Sequence, residues 1–379
     1  MIVGAIGVVA ALLDRRGRRH GIPVTLVAFA CIGLLSAAYH QWSVVTSLEW
    51  WRRFEPALHL AVMAAYVVGV AHLLRTRRRI AVVSVAITAA AITLGAQTLF
   101  DDVISWYDGQ PTLQTMLPTV AQWKGVHDLT FAFSFGVPLA LAPGLVTRRA
   151  WLIFAGLVVA AVPIAASYAI NSRGGTASMI AVAGTMAVAA ASGPRLVRVG
   201  AITLGALLAL FLLAGVAVAI FGWGNIDSLR TVGGRSGIWA GALTLIGTHP
   251  WLGVGPGNFR TSMMDAGLDP VGHLNAHNLL LHVTAEIGIA GGLCLALFVI
   301  LTMRSNWRGW VSGRGGAAPA GMFFLLLLLV IRWSADTFIE GSPVMARHRV
   351  IAWTMLAAAL AVARQVQPEH AVAVDTHAA

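Results

Sequence analysis

The side chains best suited to phosphate and proton chemistry gather between Thr231 and Gly292, with two outliers elsewhere. His277 and Asn278 open a long apolar run, and Arg235 stands in Gly233-Gly234-Arg235-Ser236-Gly237. His249 to Phe259 reads HPWLGVGPGNF and is followed by Arg260. Further arginines occur in Ser172-Arg173-Gly174 and at Arg332, near the end of a late apolar run. An imidazole accepts a proton near neutrality and so suits a reacting hydroxyl; the bland alternative is an interfacial His bonded to a backbone carbonyl. A guanidinium fork holds two phosphate oxygens at once, although lipid head groups offer the same oxygens. Arg235 is expected at the amino end of a short amphipathic helix lying at the interface, where free N–H groups also attract anions.

The Gly- and Pro-rich stretch from His249 to Phe259 predicts a shaped loop. It lacks Gly-Lys-Ser/Thr and follows no strand, so a nucleotide P-loop is excluded. Its expected task is to wall a cavity. From His277 to Gly288 is eleven residues, about three helical turns, which predicts that the two share one face of a helix. Gly291 and Gly292 extend a small-residue stripe on which another helix can pack closely. Glu286 is the one carboxylate expected inside a span, with His282 four residues earlier on the same face. A structural His282–Glu286 pair is the preferred reading, and a proton-coupled transport role is the sharper one. Asp101-Asp102 is read as a solvated loop pair rather than a metal site. Cys31 and Cys294 each fall in an apolar run without metal-ligand neighbours, which predicts buried packing and no disulfide framework.

The elements that carry these residues are apolar. Of the 379 residues, 58% are hydrophobic and only 11% are charged, against roughly 25% charged in soluble domains. An all-α polytopic membrane protein follows, with about eleven transmembrane helices (roughly ten to twelve) in one domain over residues 1–364. Residues 222–277 form a long extracytoplasmic segment with short helices, and 365–379 a disordered cytoplasmic tail. The formal net charge of +11 resides mostly in Arg clusters between spans. Those clusters encode orientation, so no nucleic-acid partner is expected. Residues 14–20, 75–79, 148–149, 195–198, 304–314 and 364 are thereby assigned to the cytoplasmic side. Residues 42–55, 101–128, 171–175 and 334–347 are outer segments. Residues 1–13 lack a basic start and a cleavage site and read as a short first span rather than a signal peptide. Arg173, Arg235, Arg260 and Arg332 fall on the outer side, against the orientation bias, and mark where function is sought.

Four pieces resemble the O-antigen ligase / O-antigen polymerase (Wzy-C, WaaL-like) superfamily of bacterial membrane glycosyltransferases. They are Ser172-Arg173-Gly174; Arg235 with Trp239; HPWLGVGPGNF from His249; and His277-Asn278, nine residues, Gly288, two residues, Gly291. The resemblance implies a GT-C-like fold in the bacterial inner membrane and a reaction without metal or cofactor. It implies an undecaprenyl-diphosphate-linked glycan as donor, transferred at the outer face to a hydroxyl of a lipid A-core or glycan acceptor among membrane lipids. Its implied catalytic residues are His277, Arg235 and Arg173; Arg332, Asn278, His249 and Arg260 are expected to bind substrate. Ligation of O-antigen is the first expectation and polymerisation of O-antigen or exopolysaccharide the second. A secondary transporter or flippase using Glu286, and a non-catalytic assembly scaffold, are the rival classes.

Overall fold

The computed structural model describes residues 21–41, 49–107, 126–170, 172–192, 230–268, 275–333 and 347–366. The expected first span, the basic cluster at 14–20, the span at 199–221, the outer turn at 334–346 and the tail beyond Val366 lie outside the described residues; Gln365 and Val366, expected in a disordered tail, end the last helix. Every regular element described is a helix: α1 Gly21–Gln41, α2 Glu49–Leu73, α3 Arg77–Tyr107, α4 Val126–Ser134, α5 Gly136–Thr147, α6 Ala150–Ala169, α7 Arg173–Ser192, α8 Arg230–Thr248, α9 Phe259–Asp265, α10 Leu279–Val311, α11 Ala317–Trp333 and α12 Arg347–Val366. In a medium that offers no hydrogen bonds, a helix satisfies its own backbone, and this fits a polytopic membrane protein. Five stretches are long and apolar enough to cross a membrane: Phe54–Leu73, Arg77–Asp101, Leu129–Thr147, Ala150–Ala169 and Leu279–Val311. Shorter apolar helices occupy Val24–His40, Gly174–Ala190, Gly237–Thr248, Ala317–Arg332 and Trp353–Val366.

The core is built around α11, which is apolar on all sides and therefore buried. Met322, Leu325, Leu326 and Leu329 pack with α1, α2, α10 and α12. Ala320, Phe323, Phe324 and Leu328 pack with α3 to α7. One helix thus joins two halves, and its two stripes differ by about a quarter turn of register. A smaller cluster joins Ile238, Ala242 and Leu245 of α8 to Phe259, Met263, Ala276 and Ala285.

The basic turns at 75–79 and 304–314 lie at one end, with the end of α12 between them. Gln365 Nε2 donates to the carbonyls of Leu74 (3.2 Å) and Arg75 (2.8 Å), and Ser305 Oγ to that of Ala363 (2.9 Å). Following α10 and α11 away from that end leads to Asn278 and Arg332 at the other.

Several boundaries differ from the sequence expectation. Residues 49–55, expected in an outer segment, begin α2, because Pro56 is tolerated inside it. Asp101 and Asp102 continue α3 rather than leaving it, so the expected loop pair is a helix end. Arg235 does not stand at a helix amino end, since α8 starts at Arg230 and runs through Gly233-Gly234. Each interior glycine costs only about 1 kcal/mol, less than packing can return. Cys31 is exposed and Cys294 half-buried rather than buried; an apolar run can face lipid as well as protein.

Candidate active site

The helix that bears the His277 motif is broken. Gly288 has φ 80° and ψ 173°, so α10 is two helices joined at a kink. His277 and Gly288 therefore do not lie on one continuous helical face as their spacing predicts. His277 precedes the helix altogether, with φ 47°. The period of 3.6 residues holds only while every residue stays helical.

The break is satisfied by the glycine-rich loop. Ile289 N–H, deprived of its helical acceptor, donates to Pro250 O at 2.8 Å. The carbonyls left over on Ala285 and Glu286 accept from Val254 N (2.9 Å) and Gly255 N (2.8 Å). Irregular backbone at membrane depth is tolerated only when buried in protein this way. Gly288 faces the Trp251 carbonyl and Gly253, at φ 66°, faces the Glu286 backbone, so closely that a side chain at either would collide. From α1, Ser36 Oγ donates to Leu252 O (2.5 Å) and His40 Nε2 to Gly253 O (2.8 Å). The expectation of a shaped scaffold loop is matched here. Ser36 and His40 escaped the sequence reading, although their four-residue spacing in an apolar helix was a signal that they share a face.

Glu286 is buried and meets His282 Nε2 at 3.6 Å, as the spacing predicts. Its Oε1 also accepts from Phe259 N at 3.3 Å, at the start of α9. The His282 ring packs on Phe259 with centroids 4.9 Å apart. The carboxylate thus fastens α9 to the first half of α10.

His277 is held from both sides. Its N–H donates to Asn275 Oδ1 at 2.9 Å. Asn278 is the cap of α10, its Oδ1 accepting from Leu281 N at 3.1 Å; the side chain expected to bind substrate is occupied in starting the helix. Such a cap stabilises by about 1 kcal/mol. Trp239 Nε1 donates to Ala276 O at 2.8 Å, with both residues buried. Arg235 lies one turn before Trp239, on the stripe of Ile238 and Ala242, and is half-buried. The tryptophan therefore anchors the arginine-bearing helix to the residue before His277. A left-handed conformation at a non-glycine residue is disfavoured and persists only where neighbours enforce it.

A second group forms at the same end of the bundle. Arg332 lies on the α11 stripe that continues Phe324 and Leu328, facing α7. It is 4% exposed, with its guanidinium 5.6 Å from the centre of the Phe131 ring. A Cβ on Gly175 would stand 2.6 Å from Arg332 Nη1. Two arginine positions expected as phosphate clamps, 173 and 332, are thus neighbours through the first turn of α7; the Arg173 side chain itself lies outside the described residues. Ser172 precedes that turn, its carbonyl accepting from Thr176 N at 2.9 Å. Arg173-Gly174-Gly175, expected as part of a tight turn, are the first helical residues because the turn closes before them.

His249 and Arg260 are exposed. His249 Nδ1 bonds Thr248 Oγ1 at 2.9 Å, and its ring lies 6.4 Å from that of His40. Among the described residues no group of three or more His, Cys, Asp or Glu is arranged to hold a metal.

Residues 157–296 match the family model described as O-antigen ligase. The match runs from the middle of α6 to just beyond the break in α10. It contains Ser172, Arg173, Arg235, the glycine-rich loop and His277, and stops short of Arg332. No curated protein matches the chain.

Proposed function

We propose, from the match of residues 157–296 to the O-antigen ligase family model, that the chain transfers a glycan from undecaprenyl diphosphate to an acceptor hydroxyl, as an O-antigen ligase. The reaction takes place at the outer face of the bacterial inner membrane and needs no metal. The acceptor oxygen forms a bond to the anomeric carbon as the bond from that carbon to the diphosphate oxygen breaks. The leaving diphosphate gains charge in that step, and preorganised cations stabilise it. Arg235, Arg173 and Arg332 are the cations assigned to it. His277 takes the proton that the acceptor hydroxyl loses.

The observation that carries this reading is the Trp239–Ala276 hydrogen bond. It ties the Arg235 helix to the backbone immediately before His277, so an anion-binding cation and a proton acceptor are supported by one buried contact. The test is transfer by purified protein from undecaprenyl-diphosphate glycan to a lipid A-core acceptor. Arg235→Ala and His277→Ala are each expected to lower the rate by about a hundredfold or more while the protein remains inserted. Undiminished transfer by both variants would remove the proposal. Products extended by several repeat units in the absence of lipid acceptor would favour the polymerase of the same superfamily.

A secondary transporter draws support from one observation, the broken α10 with its buried Glu286; interrupted helices surround transporter sites. Here, however, the freed carbonyls are taken by the loop and the carboxylate by Phe259 N–H. Glu286→Gln separates the two: coupled substrate movement would be lost in a transporter, whereas glycan transfer should survive within about tenfold.

A further inference from the structure

The turn that opens α7 uses nearly all of its hydroxyls. Thr176 Oγ1 lies 3.0 Å from both Ser167 Oγ and Ser172 O, Ser167 Oγ donates to Ser172 O at 3.3 Å, and Ser178 Oγ to Gly175 O at 2.8 Å. Ser172 is the exception. It occupies the position from which a serine ordinarily caps the helix by accepting an N–H from its first turn. Its carbonyl does its part, but its Oγ, in a side chain 3% exposed, has no hydrogen-bond partner among the described residues. A buried hydroxyl left without a partner is destabilising and calls for an explanation.

Its surroundings supply one. A Cβ built on Gly175 would lie 2.8 Å from Ser172 Oγ and 2.6 Å from Arg332 Nη1, with the Thr130 methyl also in its way. The hydroxyl and the guanidinium therefore meet, alongside the Thr130 methyl, at the Gly175 side of the first turn of a 20-residue helix. The N–H groups of that turn have no acceptors within the helix and carry partial positive charge. Nothing lies within 4 Å of a Cβ built on Gly174, so the turn is open on that side.

We propose that Ser172 is a phosphate ligand: its Oγ–H donates to a phosphate oxygen of the lipid-linked diphosphate, beside Arg332 and the N–H groups of residues 173–175. This rests on the transferase reading above and adds to it a neutral donor. Ser172 declines to cap its helix because its hydroxyl serves the ligand.

The experiment uses the full chain in zwitterionic phosphatidylcholine nanodiscs, titrated with undecaprenyl diphosphate, and in a second arm with phosphatidylglycerol added as competitor. Ser172→Ala is expected to weaken undecaprenyl diphosphate binding by about tenfold, as for a lost hydrogen bond to a charged group, without lowering the melting temperature. Thr176→Val, which removes a hydroxyl committed to the fold, should lower the melting temperature and leave the affinity unchanged. Ser172→Thr, which restores a hydroxyl, should recover much of the binding. A lower melting temperature with parental affinity in Ser172→Ala would make Ser172 an ordinary cap and overturn the proposal. Full displacement of undecaprenyl diphosphate by equimolar phosphatidylglycerol would also overturn it, since the seat would then belong to bulk lipid head groups. If the parent binds and transfers but Ser172→Ala matches it, only the role of Ser172 falls. If the parent does not bind undecaprenyl diphosphate at all, the transferase reading falls with it.

Discussion

At the scale of single residues, the proposed chemistry depends on side chains that hold others still. His277 sits at φ 47°, a conformation uncommon for any residue but glycine, and three contacts secure it: Asn275 on its N–H, Trp239 on the preceding carbonyl and the Asn278 cap behind it. Trp239→Phe keeps an aromatic ring, smaller than the indole, and removes the donor. It should cost about 1 kcal/mol in thermal stability, with the buried Ala276 carbonyl left unpaired. In steady-state assays kcat should fall further than the apparent donor affinity, because positioning rather than binding is lost. Asn278→Ala should cost about 1 kcal/mol by removal of the cap and also lower kcat; an unchanged rate with lowered stability would confine Asn278 to the helix start. Asn278 was noticed in the sequence because it neighbours His277. Its capping role became visible only when the helix was seen to begin at Leu279.

At the scale of elements, the decisive feature is the pairing of a broken helix with a loop that completes it. Three backbone groups released at Gly288, the Ile289 N–H and the carbonyls of Ala285 and Glu286, find partners in residues 250–255, so each segment supports the form of the other. Gly288→Ala would force a side chain against the Trp251 carbonyl at a positive φ, and a loss of more than about 2 kcal/mol is expected by thermal unfolding in detergent. Gly184→Ala, in the interior of α7 with open space around it, should instead raise stability by roughly 0.5 kcal/mol. The glycines of the 249–258 loop and the 288–291 motif were legible in the sequence as shaped backbone. Their mutual engagement was not, because hydrogen bonds between segments some thirty-five residues apart leave no periodic trace. The same limit applies to the His277–Gly288 spacing, which reads as one helical face until a single φ changes sign.

At the scale of the whole molecule, the bundle has two unlike ends. Arg75, Arg304, Arg308 and Gln365 are at one, and Ser172, the Arg235 helix, His277 and Arg332 at the other. In a background lacking Cys31 and Cys294, cysteines placed at the exposed positions 249 and 260 should react with a membrane-impermeant maleimide added outside intact cells, while one at 314 should react only after lysis. Labelling of 314 alone would invert the orientation and remove the site from the outer face. The sequence by itself determined that the chain is helical and membrane-embedded, which residues could bind phosphate or take a proton, and that Glu286 pairs with His282, because composition, residue chemistry and four-residue spacing are local properties. Only the tertiary structure decided that α11 joins the two halves, that Arg332 meets the first turn of α7, that Trp239 anchors the His277 loop and that the Ser172 hydroxyl has no partner among the described residues. Those relations arise from close packing between distant segments, where shape and hydrogen-bond complementarity choose the neighbour.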